Sequence, residues 1–217
     1  MRELPMRVWD LPIRLFHWLL VILVAVSWLS AEERRMDIHL LSGLGVLGLV
    51  VFRLLWGLFG SSTARFAAFV RGPRAVIAYL RGQGGEKRAG PHPLGALSVV
   101  ALLGLLAVQA GTGLFASDTD GLDYGPLNFL VGYGTAETLT DIHETAFDLL
   151  SVLIGLHLLA VAFYLVARRR NLIRPMITGR DPQATAGELV PAGPLRFLLA
   201  AMPAAAFAYA AGQGFFL

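Results

Sequence analysis

The 217-residue chain is 56% hydrophobic and only 15% charged, with a mean hydropathy of +0.63, far from the roughly 25% charged composition of soluble domains. A globule of this size buries only about two-thirds of its unfolded surface, so the composition excludes a water-soluble fold and indicates a polytopic membrane protein. The absence of cysteine removes disulfides, thiol catalysis, cysteine-based zinc or iron–sulfur sites and thioether-attached cofactors, and leaves the five histidines as the strong nitrogen ligands.

A hydrocarbon core of about 30 Å requires about 20 apolar helical residues. The pattern predicts such helices over about 13–31, 38–60, 94–116 and 141–167. Arginines precede the first, but a short acidic loop and a second span follow at once, so it is no cleavable signal. Pro182, Pro191 and Pro194 mark the stretch before Leu195 as a loop. The Ala-rich segment over about 195–217 contains Pro203 and has no charge after Arg196. At about 34 Å of helix it is long enough to cross. The alternative is a helix lying on the cytoplasmic surface or against a partner. The expected fold is all-α: a polytopic four-helix membrane bundle over 1–180, then a linker and a fifth, C-terminal transmembrane helix over 181–217.

The charges orient these spans. Arg2, Arg7 and Arg14 precede or open the first. Arg65, Arg71, Arg74, Arg81, Lys87 and Arg88 lie between the second and third, and Arg168, Arg169, Arg170, Arg174 and Arg180 follow the fourth. The first intervening loop balances Arg34 and Arg35 against Glu32, Glu33 and Asp37, and the loop before the fourth span carries only acids, Asp118, Asp120, Asp123, Glu137 and Asp141. Basic loops stay inside, so the N-terminus and the segment after the fourth span are expected on the cytoplasmic side. The net charge of +3 and pI near 9.7 then describe topology and not nucleic-acid binding.

This orientation pairs the histidines. His143 and His157 are 14 residues apart on the fourth span, on similar faces about 21 Å apart. His17 opens the first span at the inner side and His39 opens the second at the outer side. The topology therefore matches His17 with His157 toward the inside and His39 with His143 toward the outside. Ionisable residues within a membrane are costly and mark function, although any single one is as readily a hydrogen-bonding helix contact. Two imidazoles from facing helices are what a bis-histidine b-type haem requires, and two such centres make an electron path. A zinc site would gather its ligands into one cluster.

Arg53 is the only basic residue in the interior of a span and follows His39 by 14 residues, which is expected to put it on the same face one haem spacing deeper, beside the inner pair. A buried guanidinium needs an anion; a haem propionate would serve, and snorkelling to the inner edge is the alternative. Arg14, one turn before His17, is a second propionate candidate or an interfacial anchor. Gly43, one turn after His39, would admit a porphyrin or pack small against a helix. Trp9, Trp18, Trp28 and Trp56 suit interfacial belts. Asp148 is expected to make an inward-facing hydrogen bond, with a proton relay or a solvated ligand for the outer site as the alternative, and Gln109 is similar. His92, between two prolines, reads as a surface residue, with contact to the inner haem edge or a quinone as the alternative.

Trp9-Asp10-Leu11-Pro12 with Arg14, Phe16, His17 and Trp18 resembles the W-D-x-P-x-R-x-F-H-W opening of bacterial cytochrome b561 and the related b-subunits of nickel–iron hydrogenases. His39-Leu40, Gly43, Arg53, Trp56, Gly57 and Gly60 resemble that family's second helix. Ala64-Arg65-Phe66 with Phe69 resembles the following loop, and Gln109, Thr112, Gly113, Leu114 and Phe115 the end of the third helix. His143, His157 and Met176-Ile177-Thr178-Gly179 complete a pattern covering about residues 8–180. The family's usual G-H-N-P-L-G reads Gly90-Pro91-His92-Pro93-Leu94-Gly95, with the histidine one place displaced.

The resemblance implies two haem b ligated by His17 and His157 and by His39 and His143. It further implies electron carriage between the quinone pool and a redox partner, such as a periplasmic c-type cytochrome or a hydrogenase or dehydrogenase module. The acidic outer loop suits a basic partner steered by charge. A second reading is a stand-alone oxidoreductase acting on superoxide or ferric ion at the outer haem; a proton-relaying transporter is a third. A homodimer and a place in a larger complex both stay open.

Overall fold

A computed structural model describes residues 6–70, 72, 74, 77–78, 81, 93–117, 123–182, 184 and 189–215. His92, Asp118 and Asp120 fall outside the described residues. Among the described residues there are five long helices: α1 (Leu11–Glu32), α2 (Met36–Phe59), α4 (Pro93–Gly113), α5 (Tyr133–Val166) and α7 (Pro194–Gly212). All five are long and apolar enough to cross a membrane. Strand β1 (Met6–Arg7) precedes them, and between them lie the short helices α3 (Phe66–Phe69) and α6 (Ile173–Thr178), a 3-10 turn (Asn128–Leu130) and strand β2 (Arg180–Asp181). The chain forms two compact units. One comprises Met1–Phe16, Arg53–Ala101 and Ile154–Leu199; the other comprises His17–Phe52, Leu102–Leu153 and Ala200–Leu217.

In the first unit, the start of α1 is set by Asp10. Its Oδ1 accepts from Ile13 N at 2.9 Å, satisfying one of the amides that a helix N-terminus leaves without an intrahelical partner. Pro12 beside it has no amide to satisfy. The same carboxylate is buried and accepts, through Oδ2, the Trp56 indole N–H at 2.9 Å and the Ser61 hydroxyl. Trp56 is 1% exposed. It is therefore a core residue and not an interfacial anchor, because its N–H has a buried acceptor.

Also in this unit, α6 ends at Gly179, whose φ of 77° is left-handed and favours glycine. A β-carbon there would stand 2.7 Å from Trp9 O. The Gly179 carbonyl accepts from Val8 N at 2.8 Å and Trp9 N at 3.2 Å. The two strands then pair antiparallel, Met6 with Asp181 and Arg7 with Arg180. The N-terminal and Met176-Ile177-Thr178-Gly179 motifs are thus two sides of one junction. Phe197 of α7 packs edge-on to Trp56 at 6.2 Å.

In the second unit, α1 turns into α2 through Arg34, at φ 55°, with Arg35 N returning to Ser30 O at 2.8 Å. Helix α7 packs on α2 through small residues. A β-carbon on Gly48 would lie 3.3 Å from the Ala208 β-carbon, and Ala200, Ala204 and Ala211 are buried. Such stripes let backbones approach where lipid gives no hydrophobic drive between helices. Leu47, Leu114, Leu127 and Ala211 close a core on this unit.

Helix α5 begins at Tyr133, eight residues before the predicted span. Its 34 residues reach about 51 Å, more than a bilayer core needs. The loop before it returns to cap α4. Gly125 N donates to Ala116 O and Leu127 N to Leu114 O, each at 2.8 Å, and Asn128 Nδ2 donates to Phe115 O at 2.7 Å.

Candidate functional site

His39 and His143 come together in the second unit, with ring centroids 6.1 Å apart and planes at 80°. Each ring is held by its Nδ1. His39 Nδ1 lies 2.8 Å from Ser27 O, and His143 Nδ1 lies 2.9 Å from Gln109 O. A carbonyl only accepts, so both Nδ1 atoms carry a proton, and in the neutral imidazole this leaves the lone pair on Nε2. Around His39 the network continues. Ser30 Oγ donates to Ser27 O at 3.0 Å, Ser27 and Ser42 share a hydroxyl contact of 2.7 Å, and Ser42 Oγ donates to Ile38 O at 2.7 Å. Around His143, Thr112 Oγ1 is a second acceptor 3.3 Å from Nδ1, and Gln109 Nε2 donates to Nε2 at 3.0 Å.

This donor set fits a haem iron between the rings. Two histidine rings 6.1 Å apart on different helices could each give one nitrogen to such an iron. Hydrogen bonds from Nδ1 to acceptors are the outer contacts that orient ligating histidines and raise their basicity. The glycines of α2 also divide. Gly45 abuts Leu23 and Gly48 abuts Ala208, whereas a β-carbon on Gly43 would meet nothing within 4 Å. Gly43 is therefore not required for close helix packing. Gly113 is the reverse: its β-carbon would stand 2.8 Å from the His143 ring. Among the described residues no three or more His, Asp or Glu converge as a metal cluster, whereas zinc takes three or four protein ligands.

In the first unit, Arg53 is 4% exposed. Its guanidinium carbon stands 4.7 Å from the centre of the Phe66 ring and 5.9 Å from that of Phe69, a cation–π setting that rules out snorkelling to water. Its Nη1 is buried without a hydrogen-bond partner, a donor fit for an anion. Arg14 differs: its Nη1 donates to Ile177 O and its Nε to Asp10 O at 3.4 Å, so it braces α1 against α6. His157 is half-buried on α5. In the second unit, His17 stands edge-on to Trp18 at 5.1 Å. Asp148 is exposed and does not turn inward.

A model of the family described as prokaryotic cytochrome b561 matches residues 8–179. The chain belongs to that family. Searches of curated proteins and of solved structures return no match. Membership makes this a helical membrane bundle of b-type cytochrome kind, acting in electron transfer with haem b. It also gives the Asp10 junction its context, because the matched residues run from Val8, which bonds Gly179 O, to Gly179 itself. Sequence reasoning assigned no role to Asp10 and none to the Ser27 and Gln109 carbonyls. The first had an N-cap signal in Asp10-Leu11-Pro12; backbone carbonyls have none.

Proposed function

We propose that this b561 chain carries electrons across the bacterial inner membrane between the quinone pool and a periplasmic or peripheral redox partner, such as a c-type cytochrome. His39 and His143 are the axial ligands of an outer haem b, and His17 and His157 those of an inner one. Arg53 is the leading propionate partner. Arg14, already donating to two backbone carbonyls, is the lesser. Gly43 leaves room for the outer porphyrin. The reading is supported above all by the His39–His143 pair, two Nδ1-protonated imidazoles 6.1 Å apart on different helices. The N-terminus lies in the cytoplasm, as the arginine-rich loops require.

Bound haem supplies a one-electron iron centre. The protein supplies the rest. Carbonyl-anchored imidazoles fix ring orientation and leave Nε2 as the ligating nitrogen, which on His143 must first part from the Gln109 amide. The 14 residues from His143 to His157 correspond to about 21 Å of helix rise. The acidic residues Asp123, Glu137 and Asp141 give the outer side a negative field that steers a basic partner.

Pyridine haemochrome analysis of the purified chain tests this reading, with two haem b per chain expected. His39→Ala or His143→Ala should leave one, and His17→Ala or His157→Ala the other. A chain without haem b overturns the proposal, and one haem per chain overturns the inner site. Reduction by a quinol, with reoxidation only when a cytochrome c is added, supports the carrier role. Reoxidation by superoxide or ferric ion alone supports the oxidoreductase instead.

A further inference from the structure

Helix α6 and its exit strand carry chemistry that electron transfer does not use. Arg174, Thr178, Arg180 and Pro182 line a cavity of about 440 Å³, all within the first unit. Thr178 organises it: its hydroxyl donates to Arg174 O at 2.9 Å and accepts from Arg180 N at 3.2 Å. Gly179, in its left-handed conformation, turns the chain so that both arginines line the same space.

The neighbouring carboxylate does not neutralise them. Asp181 pairs with Arg170 at 3.1 Å, and among the described residues neither Arg174 nor Arg180 has an ion-pair partner. Beside this cationic edge runs an apolar one. Ile173 and Ile177, one turn apart, are 39% and 58% exposed. Arg174 and Thr178 form the adjacent row at the same i, i+4 spacing. Just upstream, Phe163 and Val166 at the end of α5 are exposed as well.

A freely soluble anion has no use for exposed isoleucines, and an acyl chain has none for two uncompensated guanidiniums. A molecule with both parts uses both edges. We infer that this cavity binds the phosphate headgroup of an anionic phospholipid, with Arg174 and Arg180 as its donors and Ile173 and Ile177 against its acyl chains. Basic pockets at the cytoplasmic ends of membrane helices provide such recognition, and guanidinium forks match phosphate oxygens.

The test uses the full-length, haem-loaded chain in bilayer discs of phosphatidylcholine with a minority of phosphatidylglycerol, and native mass spectrometry of the lipids that stay bound. The wild type should retain phosphatidylglycerol over phosphatidylcholine. Arg174→Gln with Arg180→Gln should weaken that retention by roughly five-fold for each charge removed, with an unchanged haem absorption spectrum. Arg168→Gln with Arg169→Gln, the same charge change outside the cavity, should leave it intact. Arg174→Lys with Arg180→Lys should retain more of it than the Gln pair but less than the wild type, since the charge stays and the fork is lost. Equal loss in both Gln pairs would mean diffuse surface attraction and overturn the site. Displacement of the lipid by inorganic phosphate would reassign it to a soluble anion and also overturn it. Should the Gln pair fail to fold, Arg174→Gln against Arg168→Gln carries the same comparison.

Discussion

Gln109 engages both nitrogens of His143. Its backbone carbonyl accepts from Nδ1 at 2.9 Å, and its side-chain amide donates to Nε2 at 3.0 Å. The first contact orients the ring for ligation; the second occupies the lone pair that a metal would take. One residue of α4 thus both prepares the ligand and competes for it.

Gln109→Leu separates the two roles, because it keeps the carbonyl and removes the amide. A net hydrogen bond is worth about 1 kcal/mol, so the variant should bind haem at the His39–His143 site roughly five-fold more tightly. The rate of haem transfer to apomyoglobin measures this. Faster loss from the variant would mean that the amide assists binding.

Gly43 and Gly113 predict opposite failures. Gly43 faces open space, so Gly43→Leu should insert and fold at the wild-type level yet lose one haem per chain. Gly113 has the His143 ring against it. Gly113→Ala must push an imidazole already tied to Gln109 O, and its outer haem should show an altered spectrum or reduced occupancy. Haem stoichiometry against far-ultraviolet helicity decides both. A Gly43→Leu chain with two haems would leave Gly43 without a cofactor role.

Arg53 is held over two phenylalanine rings with one buried donor unpartnered. A fixed positive charge favours the reduced state of a nearby centre, so Arg53→Gln should lower one midpoint potential by tens of millivolts. A shift of 59 mV in a one-electron couple is tenfold in equilibrium. Arg53→Lys should restore it incompletely, since an ammonium lacks the planar contact with the rings. A potentiometric titration in which only the outer centre moves contradicts the placement beside the inner haem.

The parts of this molecule that announce themselves in sequence are those set by composition over a whole helix. Five apolar stretches correspond to the five long helices, and depth matching pairs His39 with His143 because apolar length and loop charge are read without knowing any contact. The start of α5 was hidden because Glu137, Thr138 and Asp141 are polar. Polarity marks where a membrane ends, and not where a helix does. The ring anchors at Ser27 and Gln109 are backbone carbonyls, which any residue supplies. Arg53 was legible as a buried cation, but its Phe66 and Phe69 partners depend on how the following loop folds back.

Asp10 gives the sharpest expectation for stability. Its carboxylate accepts from Ile13 N, from the Trp56 indole 46 residues away and from the Ser61 hydroxyl 51 away. No sequence pattern announces those last two bonds. Asp10→Ala removes the cap, worth about 1 kcal/mol, and leaves two buried donors without an acceptor at about 1–3 kcal/mol each. The variant should therefore be destabilised by about 3–7 kcal/mol. Trp56→Phe removes a single donor together with its indole packing and should cost less. Asp10→Asn keeps one accepting oxygen and should fall between. Reversible unfolding in mixed detergent micelles orders the three. If Trp56→Phe proved as damaging as Asp10→Ala, the junction would be held by indole packing and not by its buried carboxylate.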